Sequence, residues 1–127
     1  MVSGFDEETT RLVEAVLDGA EEKLGMDPVV LDVHEFVDAF DALIVTAGRN
    51  DRHVRTVAEE VERFVALHTG LRPLRVEGMS GGEWVAIDYG SVIVHVFDQT
   101  TREYYDLEHL WSAAPAHRRA QRPISDS

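Results

Sequence analysis

The chain contains no cysteine. That excludes structural disulfides and thiol chemistry, and it fits a reducing compartment. Basic residues are scarce as well, with 12 Lys plus Arg against 24 Asp plus Glu and a formal net charge of −12. Only the last stretch reverses the balance: Arg118, Arg119 and Arg122 face Asp126 alone, so residues 115–127 carry +2 and the preceding body −14. A body of that sign repels phosphate, and neither non-specific nor sequence-specific nucleic-acid binding is expected of it. A strongly basic protein would be attracted and steered. No apolar run reaches the length that spans a bilayer, and Asp6, Glu7 and Glu8 stand where a signal peptide would carry basic residues. The expectation is a cytoplasmic chain with no membrane association.

Several catalytic signatures are missing too. The six histidines, His34, His53, His68, His95, His109 and His117, show neither paired metal spacing nor a His-Glu-x-x-His helix, so no metal and no cofactor is expected. Ser91 follows Gly90 without a Gly-x-Ser-x-Gly frame. Gly78, Gly81 and Gly82 lie between strands rather than ahead of a helix, and so lack the amide-lined cradle that holds phosphate.

What is present suits one compact domain over residues 1–114, with residues 115–127 as a disordered, arginine-containing tail: the body is rich in core formers and the tail nearly devoid of them. The most informative stretch runs from Glu83 to Phe97. Two runs rich in β-branched and aromatic residues flank Tyr89-Gly90, which reads as a β-hairpin with those two residues in the turn. Asp88 would then pair with Ser91, Ala86 with Ile93 and Trp84 with His95. One face holds Trp84, Ala86, Asp88, Ser91, Ile93, His95 and Phe97; the other holds Val85, Ile87, Val92, Val94 and Val96. The second is a plain aliphatic surface to lie under a helix, and the first is the place to look for function.

In chain order, Thr9 or Thr10 is expected to cap a helix to about Leu24, with Leu12, Ala15, Val16, Ala20 and Leu24 on its apolar face. Strands follow at Val29–Val33 and Ala42–Ala47. Gly48-Arg49-Asn50-Asp51 then caps a second helix, striped by Val54, Val57, Ala58, Val61, Phe64 and Val65 and stopped by Gly70. Leu74–Glu77 is a third strand, reached by a strand-helix-strand passage that implies parallel pairing with a right-handed crossover. Thr100 and Glu103 offer a capping box for a short helix or pair of turns to Trp111, packed down by Tyr104, Leu107, Leu110 and Trp111. The fold class is mixed α/β (α+β), a mixed sheet of about five strands with flanking helices.

The run Trp84 to Phe97, with Arg102-Glu103-Tyr104-Tyr105-Asp106-Leu107-Glu108 and Leu110-Trp111 after it and Asn50-Asp51-Arg52-His53-Val54-Arg55 and Leu74-Arg75-Val76-Glu77-Gly78 before it, resembles the ribosomal silencing factor family, also called the iojap family. The likeness covers roughly residues 9–114 and rests on several separate motifs in one order. It implies a fold like that of the nucleotidyltransferases, which gives the alternative reading of a nucleotidyltransferase-like enzyme or nucleotide-binding protein. Such enzymes need clustered carboxylates, commonly Asp-x-Asp about a dozen residues after Gly-Ser. None follows Gly90-Ser91, and Asp38 and Asp41 are three apart, so the chain is read as non-enzymatic.

The resemblance also implies docking onto the large ribosomal subunit through its fourteenth protein, a basic component of the intersubunit face. Docking there blocks the small subunit and represses translation when nutrients run short, and the free chain is expected to be a homodimer. Carried onto matching positions, the partner-binding residues are Trp84, Asp88, Tyr89 and His95 on the hairpin, Glu77 and Glu108 as acidic contributors, and Tyr104 and Tyr105 as aromatic anchors. Ser91 stands where relatives commonly carry aspartate, and Asp41-Ala42 where Asp-Tyr is usual.

Overall fold

The computed structural model describes residues 4–119. Its elements, in order, are α1 (Glu7–Glu22), β1 (Met26–Asp32), β2 (Ala42–Gly48), α2 (Asp51–Thr69), β3 (Arg75–Glu77), β4 (Trp84–Asp88), β5 (Val92–Asp98), α3 (Gln99–Tyr105), α4 (Leu107–Leu110) and β6 (Ala116–Arg118). The strands form one six-stranded mixed sheet ordered β3-β4-β5-β2-β1-β6. Only β2 and β5 run parallel; every other neighbouring pair is antiparallel.

Alternation along each strand sorts the side chains into two layers. On one face Val30, Ile44, Val85, Ile87, Val92, Val94 and Val96 pack beneath the apolar stripes of α1 and α2. On the other, Val29, Leu31, Val33, Leu43, Val45 and Phe97 form a second cluster, roofed by Phe40, Leu107, Trp111 and Ala114. All seven residues of β2 are buried, because it is central and covered on both faces.

Several expectations are corrected. The cap of α1 is Asp6, whose carboxylate accepts the Thr9 N–H at 2.7 Å. Thr9 lies one turn inside with its side chain in the core, and Leu24 is exposed past the helix end. Likewise Asp98, not Thr100, caps α3, because β5 runs into that helix with no loop between. In the hairpin Asp88 faces Ile93, Ala86 faces His95 and Trp84 faces Phe97, two residues from the expected register. The turn residues are Gly90-Ser91, closed by the Tyr89 N–H donating to the Val92 carbonyl at 2.9 Å, with Gly90 at φ +91°. Glycine first in the turn with positive φ matches the twist of the flanking strands. A slip of two leaves every side chain on its original face. The third strand runs parallel to β2 but is not paired with it, since β4 and β5 lie between them. Leu110 is 71% exposed and Tyr104 80% exposed, so of the four expected packing residues Leu107 and Trp111 make the apolar contact with the sheet.

The expectation of a disordered tail from residue 115 is also corrected, for residues 115–119. Pro115 O accepts the Asp32 N–H at 2.9 Å, and β6 then pairs with β1, placing Ala116 opposite Leu31, His117 opposite Val30 and Arg118 opposite Val29. The segment is held by ladder hydrogen bonds and charge rather than by apolar burial, which is why hydropathy does not reveal it. Arg118 reaches Asp27 and Glu108, while Arg119 binds Glu14, Asp18 and Glu21 along α1. The remainder of the expected tail, residues 120–127, lies outside the described residues.

Candidate functional site, an aromatic sheet face

Helices α1 and α2 cover the centre of one face of the sheet, where Val30, Ile44, Val85, Ile87, Val92, Val94 and Val96 are buried. The short α3 and α4 cover only part of the other, so at the β3-β4-β5 end Trp84, Ala86, Asp88, Ile93 and His95 stay half-buried. Here the hairpin register matters. Trp84 lies directly opposite Phe97 and diagonal to His95, whose own partner across the strand is the small Ala86. The indole therefore lies across the hairpin, its ring centre 4.9 Å from Phe97 and 5.7 Å from His95. Tyr105, delivered by the last turn of α3, completes the cluster at 4.6 Å from Trp84, and Tyr104 meets Tyr105 edge-on at 5.1 Å. With Tyr105 48% and Tyr104 80% exposed, the rings project from the face. Aromatic clusters of this kind supply large contact area with few torsions to freeze.

Polar chemistry at the centre is sparse. The Trp84 indole N–H donates to His95 Nδ1 at 2.9 Å. Burial pushes the His95 imidazole down to about 4, so the ring is neutral at physiological pH. The folded pKa lies below the ordinary 6.5 of an unfolded histidine. Stability from this group is therefore complete above about pH 6.5 and is lost as pH falls toward about 4, by at most about 3 kcal/mol. Urea denaturation at pH 7 and pH 4.5 is expected to show His95→Leu losing less stability on acidification than the parent chain, by about that amount. Equal losses would rule the effect out.

At the rim, Glu77 lies opposite Ala86 and is exposed, and Asp88 lies opposite Arg75. Asp88 also shapes the turn, its carboxylate accepting the Gly90 N–H at 2.8 Å. Two residues expected at the site lie elsewhere. Tyr89 packs against the α1/α2 side, its hydroxyl buried without a hydrogen-bond partner and its pKa raised by that burial and by nearby Glu62. Glu108 on α4 is engaged by Arg102 at 3.0 Å and Arg118 at 3.4 Å.

Arg102 itself had no signal in the sequence beyond its place in the family-like run. It is only 6% exposed. It donates to the Met26 and Asp27 carbonyls at 3.0 and 2.9 Å and to both Glu108 oxygens, fixing α3 and α4 against β1. That network, with Arg118 attached, sets the position from which Tyr105 reaches Trp84.

Among the described residues, no three His, Asp or Glu side chains gather where they could hold a metal ion. Asp38 and Asp41 lie in the connection between β1 and β2, and Ser91 in the hairpin turn. No described helix is long and apolar enough to cross a membrane.

Comparison with known proteins gives consistent results. A family model described as "Ribosomal silencing factor during starvation" matches residues 6–126. A ribosomal silencing factor of Halalkalibacterium halodurans is 33% identical over 104 residues, 82% of this chain and 88% of that one. A solved structure from Chromobacterium violaceum superposes with a TM-score of 0.78 at 30% identity, covering 93% of this chain and 92% of the other. A mouse protein named for mitochondrial assembly of the ribosomal large subunit is 28% identical over 88 residues, 68% of this chain and 39% of its own length.

Proposed function

Given that this chain belongs to the ribosomal silencing factor family, whose members serve ribosome-related regulation of translation, we propose that it represses translation by docking on the large ribosomal subunit. It docks there on the fourteenth ribosomal protein at the intersubunit face and sterically stops the small subunit from joining, notably when nutrients are limiting. No bond is made or broken. The reading includes a cytoplasmic location, no cofactor and a homodimer of the free chain.

The observation that carries it is the Trp84–His95–Phe97–Tyr105 cluster, left half-open on the one sheet face that α1 and α2 do not cover. Half-buried and exposed aromatics gathered over a buried Phe97 are what interface centres are built from. The charge fits as well: a net −12 chain with Glu77 and Asp88 at the rim of the rings suits a basic partner. The mouse relative's name points to the large subunit for that relative.

The test is subunit joining. Purified chain added to separated subunits is expected to pellet with large subunits and to deplete the joined-ribosome peak in a sucrose gradient; unchanged joining at saturating chain would overturn the reading. Glu77, which makes no ion pair among the described residues, reports the electrostatics. Glu77→Arg is expected to slow association a few-fold at low salt and to converge on the parent rate at high salt, as rim charges do.

A further inference from the structure

We propose that His95 donates its Nε2–H to an acceptor oxygen of the docking partner, so that the centre of the aromatic face selects a carbonyl, amide or carboxylate group and rejects a lysine or arginine head. This rests on the docking reading above and specifies what the partner must present.

The geometry fixes the proton. An indole nitrogen is a donor only, and that of Trp84 points at His95 Nδ1 from 2.9 Å. Nδ1 therefore carries the lone pair, and in the neutral ring the hydrogen sits on Nε2. Protonating Nδ1 would set two N–H groups against each other, and burial opposes the charge as well. Nε2 has no hydrogen-bond partner among the described residues, yet it is not enclosed. The single buried, unpartnered side-chain polar atom among them is the Tyr89 hydroxyl. The groups flanking His95 on its face are apolar or aromatic: Ala86 on β4, Val45 on β2, Trp84 and Phe97. None offers Nε2 an acceptor.

His53 shows what a structural histidine looks like in the same chain. Its Nδ1 accepts the Arg49 N–H at 2.9 Å and its Nε2 donates to the Lys23 carbonyl at 2.7 Å, so both nitrogens are used internally. His95 uses one and presents the other. A donor aimed out of a ring cluster is satisfied by water in the free chain. Once water is excluded, it requires an acceptor, because a buried donor without a partner is costly. A cationic head brings only further donors, so cations belong at the rim with Glu77 and Asp88.

Binding of the full chain to purified large subunits tests this by equilibrium cosedimentation. His95→Phe keeps the ring without either nitrogen and is expected to weaken binding by about tenfold or more, the scale of one hydrogen bond lost at a desolvated centre. His95→Gln, whose amide nitrogen can stand near the position of Nε2, is expected to stay within about threefold of the parent. Parent-level binding by His95→Phe, with Trp84→Ala defective, would sink the proposal and leave the docking reading standing; parent-level binding by both variants would sink it by taking the ring cluster out of the docking surface, and failure of the parent chain to pellet with large subunits would remove the docking reading itself. Should His95→Phe fail to fold, side-chain nitrogen NMR of the parent chain decides. The proton on Nε2 supports the assignment and a proton on Nδ1 overturns it.

Discussion

Trp84→Ala is expected to cost about 2–4 kcal/mol of docking free energy, a roughly 30- to 900-fold loss of affinity for large subunits. The indole is the common contact of the cluster, touching His95, Phe97 and Tyr105 at once. Truncation therefore does more than remove one ring. Tyr105 loses its nearest ring, at 4.6 Å, and His95 loses the donor that fixes its tautomer. Because Trp84 is half-buried, its removal also costs folding stability. The measurement is accordingly made below the variant's melting transition, with circular dichroism as the control. Cosedimentation of a folded Trp84→Ala chain at the parent level would take the residue out of the docking surface.

The largest effect on stability is expected at Gly78→Ala. Gly78 sits at φ +91°, and a Cβ placed there would lie 1.9 Å from the Trp84 carbonyl oxygen. Left-handed backbone costs an L residue about 1–2 kcal/mol, and overpacking against neighbouring backbone adds about 1–3 kcal/mol more. The expected loss is about 3–4 kcal/mol in urea denaturation, a large part of the stability of a domain this size. Gly81→Ala is the internal control, since its Cβ would meet nothing closer than 4.0 Å. If the two variants unfold at the same urea concentration, the close approach at Gly78 is not a constraint. Relaxation of the clash would displace Trp84, so Gly78→Ala should weaken docking along with stability.

These residues also show what can be read from a sequence. The division of the hairpin into an aliphatic face and a mixed face is legible from alternation alone, and it survives the shift from Tyr89-Gly90 to Gly90-Ser91 as the turn because side-chain orientation repeats every two residues. The order of strands is not legible. Nothing in the hydropathy of Leu43–Val45 says that its parallel neighbour is Ile93–His95 rather than the nearer Arg75–Glu77. Charge is visible, but the partner of a charge is not. Glu108 reads as a free acid, yet it is bound by an arginine six residues earlier and another ten residues later. Tyr89 next to Asp88 reads as part of one patch, although adjacent strand residues point to opposite faces and its ring lies under the helices. The strand at Ala116–Arg118 is silent for a different reason: what orders it is the open backbone edge of β1 and acids distant in the chain, neither of which leaves a local pattern.

That last strand has a practical consequence. Because Arg119 is fastened to Glu14, Asp18 and Glu21, the polypeptide leaves the described fold beside α1, on the side of the sheet away from Trp84 and Tyr105. A fluorophore or surface tether attached at the exposed Arg11 of α1, on that same side, would sit away from the ring cluster, leaving those rings free to meet an immobilised or labelled ribosome.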